Sequence, residues 1–382
     1  MKSFVFILAI AILIVGFSAC ERISQTIQPA TPQIEDESSE ISIGVVLPLT
    51  GHVAATGQLM KQGFALAIDE INKADVSKAR LQFIFEDGMG TPEGAVKAFN
   101  KLIHTERVAA ILGPSTSSAT QAAFPIAQEN EIVALSPTAG ASGLTEIGDF
   151  VFRIPGTTKA AIATGIKTTH AKLGYQRVAT LYDNTDFFST DQDMTLREVF
   201  AANGIEGLTP ETFQTGDTDF SSQLTRIKAL NPDVIFVSAL PPEKPGILIQ
   251  ARHLGITVPI IISSLTDLEI DAAGPAAEGA ITFTNWTTAD DTPGNQAFVQ
   301  NYSEMFGKEP NGFAMVSYAS VYILAEAIKN AESTDAISIR DALANISNFD
   351  TVFGKFSFNA NGDGVYDQKA LIVKDGTLQP FE

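Results

Sequence analysis

Two short polar turns carry the side chains in this sequence best suited to holding a small molecule. The first is Gly113-Pro114-Ser115-Thr116-Ser117-Ser118 and the second is Ser136-Pro137-Thr138-Ala139-Gly140. Each directly follows a short apolar run, Val108 to Leu112 and Ile132 to Leu135. Hydroxyls and backbone N–H groups crowd into both turns, and the first opens a segment, Ala119 to Gln128, that reads as a helix. A helix N-terminus offers unpaired N–H groups and a partial positive charge, which suit a carboxylate or another anion. The chemistry expected here is anion capture rather than bond breaking. Nothing matches GxGxxG after the first strand, GxxxxGK[ST] or a GxSxG elbow, and no carboxylate pair stands at a defined spacing.

The elements that must position these turns follow from periodicity. Strand, polar turn, helix, strand, polar turn is the grammar of a parallel βαβ unit, whose strand ends lie side by side and form a crevice. The pattern begins with a strand at Ile41 to Leu47, a helical stripe over Gln58 to Asn72, a strand at Leu81 to Glu86 and a helix from Pro92 to Ile103. After a break at Pro155-Gly156 it restarts. Helices are expected at Ala160 to Leu173, Thr190 to Asn203, Phe220 to Leu230 and Glu243 to Leu254. Strands are expected at Arg177 to Tyr182, near Gly207 to Phe213, at Asp233 to Ser238, at Ile260 to Ser263 and at Ala280 to Phe283. Helices then dominate from Gly294 to Ile346, and the end from Val352 is again β-like. Two βα series, then helices, then strands indicate an α/β protein of two doubly wound lobes, with the chain crossing between them more than once.

Composition sets the outer bounds. A chain of 382 residues with 45% apolar residues has material for two or three cored domains. The formal charge of −19 argues against nucleic acid and against an anionic bilayer as direct partners. The single cysteine, Cys20, rules out an intrachain disulfide or a cysteine metal cluster, and the four histidines show no ligand spacing. No cofactor and no metal are expected. Asn359-x-Asn361-x-Asp363-Gly364 matches the start of a calcium loop, but Ala370 stands where the bidentate Glu belongs, so a plain turn is expected.

Residues 1–19 read as a secretory signal, with Lys2 ahead of the apolar run Phe4 to Val15. Gly16-Phe17-Ser18-Ala19-Cys20 resembles a bacterial lipobox, which implies cleavage before Cys20 and its lipidation. Residues 20–40, rich in Ser, Thr, Pro, Gln and Glu, read as a tether. The expected localisation is exported, periplasmic or at the cell surface, with the membrane reached only through the lipid anchor.

From Ile41 onward the sequence resembles a known family. Ile43-Gly44-Val45-Val46-Leu47-Pro48-Leu49-Thr50-Gly51, then Gly57 and a helix ending at Ile71-Asn72, resembles the opening of the branched-chain amino-acid (Leu/Ile/Val) periplasmic binding proteins. Ile111-Leu112-Gly113-Pro114, Ser136-Pro137, Phe152-Arg153-Ile154-Pro155-Gly156, Gly354-Lys355-Phe356-Ser357-Phe358 and Gly362-Asp363-Gly364 follow in order. The resemblance implies a type I periplasmic-binding-protein fold: two Rossmann-like lobes joined by three crossovers and closing like a hinge. It places residues 41–155 plus 284–349 in the first lobe and 156–283 plus 350–382 in the second. It implies no catalysis, a monomer, and delivery of a small amino acid or related carboxylate to an ABC permease. A role in sensing, signalled to a membrane receptor, or a non-amino-acid ligand such as an aromatic acid or an amide, stands as the alternative.

Carried over residue by residue, the resemblance puts Ser117, with Ser118 beside it, on the ligand carboxylate, and Thr138 and Gly140 in the second turn. On the facing lobe it points to Phe187 beside Asp186, to Leu240, and to the vicinity of Leu265, where the nearest acid is Asp267. His52, in the first strand-end loop, is expected at the surface, and Trp286 is either a core indole or a hinge residue.

Overall fold

The computed structural model describes residues 40–74, 80–331 and 333–382. The expected signal, tether and Cys20 lie outside the described residues.

The first sheet is built from β1 (Glu40–Leu47), β2 (Arg80–Asp87), β3 (Ala110–Leu112), β4 (Val133–Ser136) and β5 (Val151–Arg153). All five run parallel in the order β2-β1-β3-β4-β5. β3, β4 and β5 are buried along their whole length, as expected of strands covered on both faces. The covering helices are α1 (Ala54–Ala74), α2 (Pro92–Lys101) and α3 (Ser117–Glu129). Two apolar cores result, one on each face, centred on Phe64 and Leu112 and on Phe99 and Phe124.

The second sheet is fed by α4 (Thr158–Leu173), β6 (Arg177–Asp183), α5 (Phe187–Ala202), β7 (Glu206–Gly207), β8 (Glu211–Phe213), α6 (Ser221–Ala229), β9 (Val234–Ser238), α7 (Lys244–His253), β10 (Ile260–Ile262), α8 (Asp267–Ala273) and β11 (Ile281–Thr284). The strand expected near Gly207 to Phe213 is two short edge strands, β7 and β8, with Pro210, which has no N–H to donate, between them. Then come α9 (Asn295–Phe306), α10 (Gly312–Ala331), α11 (Ala336–Ala344), β12 (Phe349–Thr351), β13 (Gly354–Phe358), β14 (Gly364–Val365), β15 (Lys369–Lys374) and β16 (Thr377–Pro380). β15 adds antiparallel to β11, giving the order β16-β15-β11-β10-β9-β6-β7.

The fold is thus the expected type I arrangement of two doubly wound lobes, and the chain passes between them three times. The passages lie after β5, after β11 and between β14 and β15. Segment 350–382, expected as one piece of the second lobe, divides. Val352, Phe353, Phe356 and Phe358 sit in the core of the first sheet, where Phe358 meets Phe152 edge-on at 5.2 Å between ring centroids. Only Lys369–Pro380 pairs with the second sheet. Burial of three phenylalanines decides this, because an apolar hairpin goes where its rings can be covered.

Trp286 belongs to the first core and donates its indole N–H to Asn295 Oδ1 at 2.6 Å. Among the described residues, no group of three or more His, Cys, Asp or Glu gathers at the Asn359–Gly364 turn. Asp363 instead receives Arg153 Nε at 2.6 Å and the Thr145 hydroxyl at 2.8 Å, all buried. Arg153 Nη1 also donates to the carbonyl of Ala141, so this ion pair ties the first passage to the turn after β4.

Candidate functional site

The strand ends of the two sheets face each other across a cavity of about 250 Å³. Apolar side chains dominate its lining: Val53, Ile154, Ile162, Leu240, Leu265, Phe283 and Val316 among them. Such a chamber, small and apolar with a few fixed polar groups, is what a small-molecule site requires.

The first wall is the pair of turns read in the sequence. Thr116 caps α3 and accepts from Ala119 N, which makes Ser117 the first helical residue and aims the helix N-terminus at the cavity. Ser117 Oγ accepts from the backbone N–H groups of Gly140 and Ala141, each at 3.1 Å. Both lone-pair directions are taken, so the hydroxyl proton remains to donate into the cavity. Thr138 spends its proton on Ser115 O at 2.7 Å and keeps its oxygen as an acceptor. Ser136 donates to Pro114 O at 2.6 Å and accepts from Ala139 N at 3.1 Å. The Thr158 hydroxyl donates to Gly140 O. The two turns are therefore a single cross-braced unit. Ser117, Thr138 and Gly140 all line the cavity.

Gly140 stands here because of what it faces. A Cβ at this position would lie 2.9 Å from the ring of Phe188. The missing side chain is the space that Phe188 fills from the opposite wall.

The second wall departs from the expected positions at α5 and α8. The sequence reading starts the helix at Thr190 and leaves Phe187 in the strand-end turn. In the structure Asp186 caps α5, accepting from Ser189 N and Oγ, both at 2.9 Å, so the helix begins at Phe187. That moves Phe187 off the cavity to pack on Ala139, Ala141 and Leu144. Phe188 and Gln192, four residues apart on one helical face, line the cavity instead. Ser118 and Asp186 do not line it either. They bridge the walls beside it, with Ser118 Oγ 3.4 Å from Asp186 Oδ1 and accepting from Phe187 N at 3.4 Å. Burial pushes the Asp186 carboxyl above its usual range, with Asp183 adding to the effect and the Ser189 hydrogen bonds opposing it.

Leu240 lines the cavity as expected, and Asp267 does not. α8, which the sequence reading misses, starts at Asp267 through a capping box between Thr266 and Glu269. The cavity receives Leu265 and Thr266, while Asp267 turns onto the helix. Its carboxyl is pushed up by burial and by neighbouring Asp271, Glu269 and Glu309.

Polar residues that the sequence reading passes over also reach the cavity, among them Lys244, Gln192, Tyr366 and Gln368. Lys244 is 2% exposed. Its ammonium donates to Ser264 O at 3.0 Å and stands 3.5 Å from Glu269 Oε1. Its place after the strand-end turn Ala239-Leu240-Pro241-Pro242, ahead of Pro245, is the one available sequence signal. His52 is exposed, as expected, and its Nε2 lies 2.6 Å from Glu243 Oε1, joining the loop after β1 to the start of α7. Ser142 closes a third bridge, its N–H and hydroxyl donating to Asp191 at 3.0 and 3.1 Å.

Comparison with known proteins follows the same lines. The model of the family described as periplasmic binding protein matches residues 40–374. The Leu/Ile/Val-binding protein BraC3 of Rhizobium johnstonii is 30% identical, over 85% of this chain and 89% of the relative. Among solved structures, the leucine-binding protein LivK of Thermotoga maritima superposes with a TM-score of 0.84 at 28% identity, covering 90% of this chain and 98% of that one. The branched-chain amino-acid substrate-binding protein LivJ of Streptococcus pneumoniae, in complex with isoleucine, gives 0.82 at 27% identity, covering 89% and 98%. A solute-binding protein of Rhodopseudomonas palustris, in complex with 3,4-dihydroxybenzoic acid, gives 0.80 at 25% identity, covering 90% and 95%.

Proposed function

The chain belongs to the periplasmic binding protein family, of the branched-chain amino-acid ABC-transporter type, and from that premise we propose that it captures a small amino acid or a related carboxylate between its lobes and delivers it to an ABC permease. One observation carries the reading. Ser117, at the N-terminus of α3, has its oxygen saturated by two backbone N–H groups and its proton free, and it faces a largely apolar chamber. A carboxylate placed there meets a fixed O–H donor and the positive end of a helix. The apolar remainder of the ligand packs against Phe188, Leu240 and Phe283.

Closure around the ligand is supported by the three polar bridges between the walls, Ser118 to Asp186, Ser142 to Asp191 and His52 to Glu243. Ligand that contacts both walls binds the closed form more tightly and shifts the population toward it. The ligand leaves unchanged, and the protein acts as a monomer held to the membrane through a lipidated Cys20.

A thermal-shift screen of amino acids, hydroxy and oxo acids, aromatic acids, amides and polyols, followed by calorimetry, tests the ligand class. Loss of uptake of the hit in a strain lacking the protein tests transport. A hit that is taken up normally without the protein refutes the delivery role, and chemical conversion of the hit on prolonged incubation refutes the absence of turnover.

A further inference from the structure

The charge distribution of the cavity narrows the ligand further, on the premise that a carboxylate occupies the first wall. Among the described residues, the wall of the cavity carries no Asp or Glu, and Lys244 is its one charged side chain. The partner of Lys244, Glu269, is 1% exposed and lies behind it. One Glu269 oxygen is held by the N–H of Thr266 at 2.9 Å and by the Thr266 hydroxyl. Of this buried pair, the lysine lines the chamber and the glutamate does not. An α-ammonium entering this space would shed its hydration, find no carboxylate, and meet a second cation.

The neutral polar groups point the other way. Gln192 Oε1 and Gln368 Oε1 are enclosed, belong to residues that line the cavity, and have no hydrogen-bond partner among the described residues. An enclosed amide carbonyl without a donor is costly unless something supplies one. A ligand hydroxyl answers it without adding charge.

We infer that the solute is an apolar carboxylic acid bearing a hydroxyl where an amino acid bears its ammonium. The carboxylate lies on Ser117, the hydrocarbon against Phe188 and Leu240, and the hydroxyl toward Gln192 or Gln368.

Matched pairs test this with one atom exchanged. Leucine against 2-hydroxy-4-methylpentanoate, valine against 2-hydroxy-3-methylbutanoate, and phenylalanine against 3-phenyllactate each keep the carboxylate and the hydrocarbon. Calorimetry on the mature protein is expected to give hydroxy acids binding about a hundredfold or more tighter than their amino partners, the scale set by an unpaired buried charge. Amino acids binding equally well or better would overturn the inference and leave the carboxylate reading intact. Binding of uncharged solutes with no acid of either kind binding would overturn both. The double variant Lys244→Gln/Glu269→Gln removes both charges of the pair together and leaves neither stranded. It is expected to reduce the hydroxy-to-amino preference by about tenfold or more. An unchanged preference in a folded double variant would overturn the assignment of that preference to Lys244.

Discussion

Replacing Asp363 by Asn removes one charge and almost no volume, which makes it a clean probe of how the cavity is held in place. Arg153 is 1% exposed and Asp363 is 2% exposed, so solvent screens the pair very little. Three donors converge on the carboxylate: Arg153 Nε at 2.6 Å, the Thr145 hydroxyl at 2.8 Å and Asn359 Nδ2 at 3.0 Å. Placed where Oδ1 stands, an amide oxygen can still accept from Thr145 and Arg153, while the amide NH2 loses the Asn359 bond that Oδ2 accepts. What the amide cannot do is neutralise a buried guanidinium, and stranding one such charge costs about 3–5 kcal/mol. Against a total stability of about 5–15 kcal/mol, this is a large fraction. Urea unfolding of the ligand-free protein is expected to show a lower midpoint with an unchanged slope. Affinity should fall as well, because Arg153 also holds the carbonyl of Ala141, next to Gly140 in the cavity wall. A loss below about 1 kcal/mol, or a double-mutant cycle with Arg153→Met giving no coupling, would refute the reasoning.

Other substitutions probe other links. Ser117→Ala orphans two buried N–H groups that share one acceptor, so the ligand-free protein is expected to lose about 2–3 kcal/mol by urea unfolding. Calorimetry should show about tenfold or greater loss of carboxylate affinity in the same variant, measured well below its melting point. Gly63→Ala drives a Cβ to 2.0 Å from the carbonyl oxygen of Ala314, where α1 crosses α10. The helices must separate, and a loss of about 1–3 kcal/mol or more is expected, visible in the same unfolding assay. Asp186→Asn tests a pH effect. Since burial raises the folded pKa of Asp186, the ionised carboxyl opposes folding. Its stability contribution is fully present below the ordinary value of 3.8 and is lost as pH rises through the folded pKa. Asn caps helices as well as Asp, so the variant is expected to gain on wild type as pH rises through that window and to match it below. His52→Ala removes a half-exposed bridge between the walls and should weaken ligand binding only about two- to fivefold, as calorimetry would show.

Much of this was legible in the amino-acid order. Strands such as Val133–Ser136 and helices such as Thr158–Leu173 follow from local apolar periodicity and capping residues, which any window of the chain displays. The first wall was legible for the same reason. Ser117 and Thr138 sit within a few residues of the strand ends that aim them, so local geometry and cavity position coincide. The two-lobed fold was legible because βα alternation permits few topologies.

The second wall was decided by tertiary packing. Starting α5 at Phe187 rather than Thr190 brings both phenylalanines onto the helix, and Phe188 rather than Phe187 falls on its cavity face. The helix start rests on a local cap, Asp186 to Ser189, but which ring faces the cavity depends on Phe187 finding Ala139 and Leu144, more than forty residues earlier in the chain. Gly140 carries no local signal at all: it is small because a ring from the facing lobe comes close. Lys244 reads in sequence as one more solvated charge. It becomes the one charge on the cavity wall among the described residues only when Glu269 and Ser264 are folded against it. Secondary structure and strand-end turns are written in residues near one another. Which side chain faces the ligand is set by partners far apart in sequence, because burial and charge pairing act through space.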